Sequence, residues 1–376
     1  MVVVGTRPEA IKLAPVILGL RDATDLEPVV VVTGQHREIL DEVLDLFRIV
    51  PDHDLAILRD GQSLTHLTAA ALEGVGRVLD QECPDAVVVQ GDTTTTFTAA
   101  LAAFYRGVPI VHVEAGLRSR TLTSPFPEEA NRQLTSRLAT LHLCPTPTSR
   151  DNLLAEGIDP AQVLVTGNTV IDALHHVIAL PEVADDGPDD PGIRTVLVTA
   201  HRRESWGGGL ARIAEALRSV VAGRPDVRVL FPIHPNPVVR EAMVPVLGEL
   251  PNVDIVDPLP YRSFARAMAR SYLVVTDSGG VQEEAPSLGV PVLVTRRNTE
   301  RPEAVTAGAV ALVGDDPQII AAELTRLLDD PAARDRMARS VSPYGDGRAA
   351  PRAVQALRLL LFGDAAPEPF VSDRTT

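Results

Sequence analysis

Residues 272–289 read YLVVTDSGGVQEEAPSLG. The apolar run ending at Thr276 has the β-branched composition of a strand. It stops at Asp277, passes through Ser278, Gly279 and Gly280, and continues into residues that suit a helix. A buried strand that turns through glycine into a helix is the repeating half of a parallel α/β sheet. Two glycines at a helix start let another group approach the backbone. The free N–H groups and the helix dipole at that point favour an anion.

The same unit recurs outward in both directions. RTVLVTA, VRVLFPI, VDIVD, VPVLVT and AVALVG are further strand candidates in the second half, and MVVV, PVVVVT, DAVVVQ, PIVHV, LHLC and VLVT in the first. Amphipathic stretches at 10–20, 38–47, 63–82, 94–106 and 128–139 read as helices. Residues 181–192, PEVADDGPDDPG, are acidic, rich in Pro and Gly, and lack an apolar period, as a linker would. These features predict an N-terminal Rossmann-like domain over 1–180 and a C-terminal one over 193–345. A helix within 346–362 is expected to pack back towards the N-terminal domain, and 363–376 to form a mobile tail. The fold class expected is α/β, with two doubly wound Rossmann-like domains facing a central cleft. Ligands of such folds bind at the carboxyl ends of the strands.

Composition narrows the function. With 50 acidic and 35 basic residues the net charge is −15, a field that disfavours nucleic acid and anionic lipid. No apolar run approaches the ~20 residues of a membrane span, and no signal peptide is visible. Cys83 and Cys144 are too few for a disulfide framework and badly spaced for a metal, so a reduced, cytoplasmic protein without a metal is expected. Of the 35 basic residues 34 are arginine, and Lys12 is the single lysine. Arginine-favouring codon usage explains the excess. A lysine that survives such a bias is a candidate for a site needing a compact ammonium.

Polar residues sit where strands give way to helices. After MVVV comes GTRPEAIK, with Arg7 and Lys12; after DAVVVQ comes Asp92; after PIVHV comes Glu114. A loop with Gly116, Pro125 and Pro127 then delivers Glu128 and Glu129. In the second half His201, Arg202 and Glu204 follow RTVLVTA, and His234 follows VRVLFPI. Taken singly, Asp92 reads as a helix cap, His234 as a locally bonded histidine, and Glu129 and Glu204 as solvated surface acids. Their joint placement at strand ends favours a site. Glu284, one turn into the helix after Gly280, is placed to accept from vicinal ribose hydroxyls, and Arg301 to neutralise a diphosphate. Neither GxGxxG nor GxxxxGK[ST] occurs, so a nucleoside diphosphate fits better than a dinucleotide or a P-loop nucleotide.

GTRPEAIKLAP, QHREIL, GDTTTT, HVEAGLR, SPFPEEANR, TGNTVIDAL, HRRES, TDSGGVQEEAPSLGVPVLV, TERPEAV and PYGDG stand in that order along the chain. In these motifs, over nearly its full length, it resembles the bacterial non-hydrolysing UDP-N-acetylglucosamine 2-epimerases. The resemblance implies the glycosyltransferase-B type of fold, a homodimer, no nicotinamide or other cofactor, and interconversion of UDP-GlcNAc and UDP-ManNAc. UDP would leave C1 with loss of the C2 proton, giving a 2-acetamidoglucal, and return with protonation of the opposite face. By motif, Asp92, Glu114 and Glu128 match the family's catalytic carboxylates, and His201 its catalytic or phosphate-contacting histidine. Arg7, Lys12, Phe264, Ser278, Gly279, Gly280, Glu284 and Arg301 match its nucleotide contacts.

Some members bind a second UDP-GlcNAc as activator, and Gln35, Arg202 and His234 are similar to the residues that touch it. Gly61 stands where such members carry an arginine, which leaves regulation open. Arg120 and Thr121 replace the family's usual glycine and Asp or Asn in the loop after Glu114. Two rival readings remain. A retaining glycosyltransferase would share the fold but not need three carboxylates, and a nucleotide-sugar sensor would bind without turnover.

Overall fold

The computed structural model describes residues 1–34, 37–57, 61–181, 192–202, 206, 208–299 and 301–372, with only the backbone of 37–39. The expected linker core at 182–191, Gln35 and Glu204 lie outside the described residues. The chain divides into two compact units. One holds residues 1–176 and 344–371, the other residues 177–343 with 372.

In the first unit β1 (Val2–Val4), α1 (Arg7–Asp22), β2 (Val30–Val32), α2 (Arg37–Leu46) and β3 (His53–Asp54) are followed by α3 (Leu64–Glu82) and β4 (Val87–Gln90). The alternation continues with α4 (Thr94–Phe104), β5 (Ile110–Val113), α5 (Glu128–Leu138), β6 (Leu141–Cys144), α6 (Pro147–Ala155), β7 (Val163–Val165) and α7 (Thr169–Ala179). The seven strands pair in the order β3-β2-β1-β4-β5-β6-β7, all parallel. Apart from the edge strand β3, the strands are apolar and largely buried on both faces, as a helix-covered parallel sheet requires. The four alanines of α4, Ala99, Ala100, Ala102 and Ala103, let that helix lie close against Val3, Val31, Val87 and Val89.

The second unit runs β8 (Arg194–Thr199), α8 (Gly209–Val221), β9 (Val227–Pro232), α9 (Pro237–Leu247), β10 (Val253–Val256), α10 (Tyr261–Arg270) and β11 (Leu273–Thr276). It ends with α11 (Gly279–Ser287), β12 (Val292–Val294), α12 (Pro302–Thr306), β13 (Val310–Leu312), α13 (Pro317–Asp329) and α14 (Pro331–Ala338). Its sheet order, β10-β9-β8-β11-β12-β13, repeats the first six strands of the other sheet, and β7 has no counterpart. Val196, Val198, Val229, Phe231 and Val275 pack against Leu210, Ile213 and Leu217 of α8 and Leu324 and Leu327 of α13. In both sheets the order reverses beside the first strand, between β1 and β4 and between β8 and β11. These are the switch points where such folds place ligands.

The last helix, α15 (Ala349–Phe362), belongs to the first unit and packs on α1. Asp172 of α7 caps it, accepting from Ala349 N at 3.1 Å and Ala350 N at 2.8 Å. Burial pushes this carboxyl up to about 6, against the two N–H groups. In the segment expected as a tail, Phe370 is buried and its N–H donates to Val165 O at 2.8 Å. No helix among the described residues is long and apolar enough to cross a membrane.

Candidate active site

In the first unit the polar residues converge at the carboxyl ends of β1, β4 and β5. Glu114, directly after β5, adopts a left-handed backbone (φ 60°) that is costly for a residue with a Cβ. It is 8% exposed and held from three sides. Lys12 Nζ of α1 donates to Oε1 at 2.5 Å, Asn168 Nδ2 donates to the same oxygen at 3.1 Å, and Gln90 Nε2 donates to Oε2. Three donors aimed at one carboxyl are the partner set of a carboxylate.

Asp92 follows β4 through Gly91. Thr93, not Asp92, caps α4, its hydroxyl accepting from Thr96 N at 3.1 Å. Asp92 instead pairs with Arg132 of α5, and Asn131 Nδ2 donates to its backbone oxygen at 3.0 Å. Glu129 is fully buried, not a solvated surface acid. It accepts from Ser119 N at 2.9 Å, Arg120 N at 3.3 Å and Gln133 Nε2 at 2.8 Å, and pairs with Arg132 at 3.2 Å. It thus ties the loop after Glu114 to the helix whose arginine holds Asp92. Glu128, one residue earlier, is half-buried at the start of α5. The half-buried Arg7 opens α1.

In the second unit His201 follows β8 and Ser278 follows β11, so the two face the switch point. Asp277 joins them. It is fully buried, accepts from His201 N at 2.9 Å and Arg202 N at 2.9 Å, and contacts His201 Nδ1 at 3.1 Å. Burial alone would raise this carboxyl; the His201 ring and the two backbone N–H groups hold it below its ordinary value. With Nδ1 engaged, Nε2 of His201 is the nitrogen left to present to a ligand. His234 stacks on His201 with centroids 6.0 Å apart, and its Nδ1 accepts from Asn236 N. Burial, then the neighbouring His201, lowers its pKa.

Ser278 is the N-cap of α11, but its side chain makes no cap bond. A Cβ at Gly279 would lie 2.7 Å from Arg301 Nη1, so this glycine makes room for the guanidinium over the helix start. Arg301 is oriented by Glu283 (Nε to Oε1, 2.5 Å) and by Thr299, whose hydroxyl accepts from its N–H and donates to Gln282 Oε1 at 2.6 Å. Glu284 lies one turn in, its Oε1 3.4 Å from where a Cβ on Gly280 would stand. Phe264 is half-buried on α10.

The structure therefore groups Lys12, Glu114 and Asp92 in one unit, and His201, Arg202, His234, Ser278, Gly279, Gly280, Glu284 and Arg301 in the other. Sequence reasoning missed Gln90, Asn168, Asp277, Gln282 and Glu283, which hold these residues in place. Asp277 carried a signal, lying between a strand and the two glycines.

Two doubly wound Rossmann-like units with their polar groups at the strand ends define an α/β protein of the glycosyltransferase-B type. Acinetobacter baumannii MurG, 16% identical with a TM-score of 0.60 over 95% of this chain and 98% of its own, shares that fold alone. The chain belongs to the UDP-N-acetylglucosamine 2-epimerase family, whose model matches residues 19–358. It is 51% identical over 367 residues to the Escherichia coli K12 UDP-N-acetylglucosamine 2-epimerase, covering 95% of this chain and 98% of that one. The Neisseria meningitidis UDP-GlcNAc 2-epimerase, solved with UDP-GlcNAc bound, is 45% identical with a TM-score of 0.84 over 95% of this chain and 98% of its own.

Proposed function

We propose that the protein interconverts UDP-N-acetylglucosamine and UDP-N-acetylmannosamine without hydrolysis. The observation that carries this reading, beside family membership, is the Lys12–Glu114–Asn168–Gln90 cluster adjoining the Asp92–Arg132 pair. Hydrogen at C2 of a sugar is not acidic, because no carbonyl adjoins it. The bond from C1 to the UDP oxygen therefore breaks with its electron pair going to UDP, while a carboxylate takes the C2 proton and a C1–C2 double bond forms. Re-addition of UDP to C1, with protonation of C2 from the opposite face, gives the epimer. Nothing is oxidised or consumed.

Such a path needs proton-transfer groups near both ring faces and a cationic grip on the departing diphosphate. Asp92, Glu114 and Glu128 supply the carboxyl groups. His201 Nε2, Arg7, Lys12, Arg301 and the N–H groups at Ser278–Gly280 take the diphosphate. Glu284 accepts from the ribose, and Phe264 lies against the nucleoside. Arg202 and His234, with Gln35, would contact a second UDP-GlcNAc.

Incubation with UDP-GlcNAc alone in deuterated water tests this. The expected product is UDP-ManNAc carrying deuterium at C2. Free ManNAc with UDP would show hydrolysis instead, and hydrogen retained at C2 would rule out elimination.

A further inference from the structure

Glu9 of α1 touches none of the residues assigned to chemistry above, yet it is 2% exposed and fully bonded. Its Oε2 accepts from Gly5 N at 2.9 Å and Thr6 N at 2.6 Å, closing the capping box that starts α1. Its Oε1 lies 2.6 Å from Thr93 Oγ1 and 2.8 Å from Thr96 Oγ1, both at the start of α4. Thr96 Oγ1 also lies 2.6 Å from Gln90 O.

The hydrogens in this cluster can be counted. Three short oxygen–oxygen contacts, Thr93–Glu9, Thr96–Glu9 and Thr96–Gln90 O, each need a hydrogen between them, whereas the fourth, Thr93–Thr96 at 3.1 Å, is long enough to need none. The two threonines have one hydroxyl hydrogen each. Gln90 O can only accept, so the hydrogen of Thr96 goes there, and that of Thr93 goes to Glu9. The Thr96–Glu9 contact is left with two facing lone pairs unless Glu9 brings the third hydrogen.

We propose that Glu9 is a positioning residue that works as a neutral carboxylic acid, donating to Thr96 and stitching the β1–α1 turn to the β4–α4 turn. The surroundings agree. Gly5, Thr6, Thr93 and Thr96 are all uncharged, and burial raises the carboxyl above its ordinary value. The turn is packed too tightly for a side chain: a Cβ on Gly5 would fall 2.4 Å from Thr95 Oγ1 and 2.9 Å from Glu9 Oε2. Through Thr96 the acid reaches the backbone of Gln90, whose side chain holds Glu114. Through Thr93 it fixes the residue after Asp92. Its own helix carries Arg7 and Lys12. One neutral acid therefore sets the register of groups on both sides of the switch point.

Infrared spectroscopy of the folded protein without substrate tests the protonation state, independently of whether the epimerase reading holds. At pH 7.5 the parent should show a protonated-carboxyl C=O stretch that disappears in Glu9→Gln. A glutamine amide offers one acceptor to Gly5 and Thr6 and one hydrogen each to Thr93 and Thr96, while the Thr93 hydroxyl turns its own hydrogen to Thr96 Oγ1, 3.1 Å away. Glu9→Gln should therefore keep kcat/KM within about threefold, whereas Glu9→Ala should lose about tenfold or more, mostly in kcat. This kinetic arm rests on the epimerase reading. If Glu9→Ala does not fold, Glu9→Gln and the parent spectrum still decide. Absence of the band from the parent, its persistence in Glu9→Gln, or a Glu9→Gln as damaged as Glu9→Ala overturns the proposal.

Discussion

Lys12 is the one basic position in the chain that arginine does not fill, and its ammonium sits 2.5 Å from a carboxylate that is itself almost buried. Asn168 and Gln90 crowd the same two oxygens, so the space suits a compact point charge and not a planar fork. Lys12→Arg keeps the charge but not the fit. Losing a charge-assisted hydrogen bond costs about 1.5–3 kcal/mol, or roughly 10- to 150-fold in kcat/KM. The melting temperature should stay close to the parent's, because a cation remains beside Glu114. Parental turnover in Lys12→Arg would remove the residue from the site. At this scale the sequence singled out candidate residues but not what they touch. Lys12 and Glu114 are each conspicuous, one as the lone lysine and one as an acid ending a buried strand. Their pairing spans 102 residues and is invisible until the sheet is assembled. Glu9 did carry a local mark, the T-x-x-E of Thr6 to Glu9, which signals a capping box. Glu129 carried none, since an acid in the first turn of a helix looks alike whether solvated or buried.

Among elements, the loop between Glu114 and α5 shows most clearly how a departure from the family pattern is accommodated. Arg120, where the family usually has glycine, sits at φ 65°. That conformation costs a residue with a Cβ about 1–2 kcal/mol. What holds it there is Glu129, accepting from the Ser119 and Arg120 N–H groups, with a contact from Arg120 Nη2 to Asn152 Oδ1 at 3.0 Å. Arg120→Gly removes the strain and gives back part of the gain as extra freedom of the unfolded chain. The exposed contact to Asn152 weighs little. The net expectation is a stabilisation of up to about 1 kcal/mol. Arg120→Val should destabilise, since a β-branched residue tolerates this region least. Urea unfolding of the pair checks both signs, and a less stable Arg120→Gly would mean that the guanidinium holds the loop. Strands and helices with an apolar period were legible in advance, including all six strands of the second sheet. The exceptions have physical reasons. β3 is two residues, His and Asp, with no apolar run. α6 is only nine residues long, too short for its apolar spacing to stand out, and α7, eleven residues long, was not among the helices read in advance.

For the whole chain, two sheets of the same strand order place an acid across each switch point, Glu9 between β1 and β4 and Asp277 between β8 and β11. The units differ in how they meet acid. The first buries two histidines side by side in adjacent strands, His112 of β5 and His142 of β6. Burial lowers their pKa values to about 4 and about 3. Below about 6.5 the unfolded chain takes up protons that the folded unit refuses, so the stability these groups carry is complete above that pH and drains as pH falls towards 4. Asp172 runs the other way. Raised to about 6, it binds its proton in the folded state first, so its contribution falls as pH rises through roughly 4 to 6. Glu9, also raised by burial, acts in the same sense as Asp172, so these carboxyls oppose the acid-weakening that the two imidazoles bring. His142 is the separable part of that effect. His112 Nε2 bonds Gly91 O at 2.7 Å, whereas both ring nitrogens of His142 are buried without a hydrogen-bond partner among the described residues. Replacing an unsatisfied polar group by an apolar one of similar volume is neutral or stabilising. His142→Leu should therefore match or exceed the parent at pH 7.5. At pH 5, about 1.5 units below the ordinary histidine value, it should gain roughly a further 2 kcal/mol. The single tryptophan, Trp206, lies in the second unit, so its fluorescence is the wrong probe. Hydrogen exchange of the β5 and β6 amides in urea, at both pH values, reads the unit concerned. An advantage of the same size at pH 5 and pH 7.5 would show that His142 is not what makes this unit acid-sensitive.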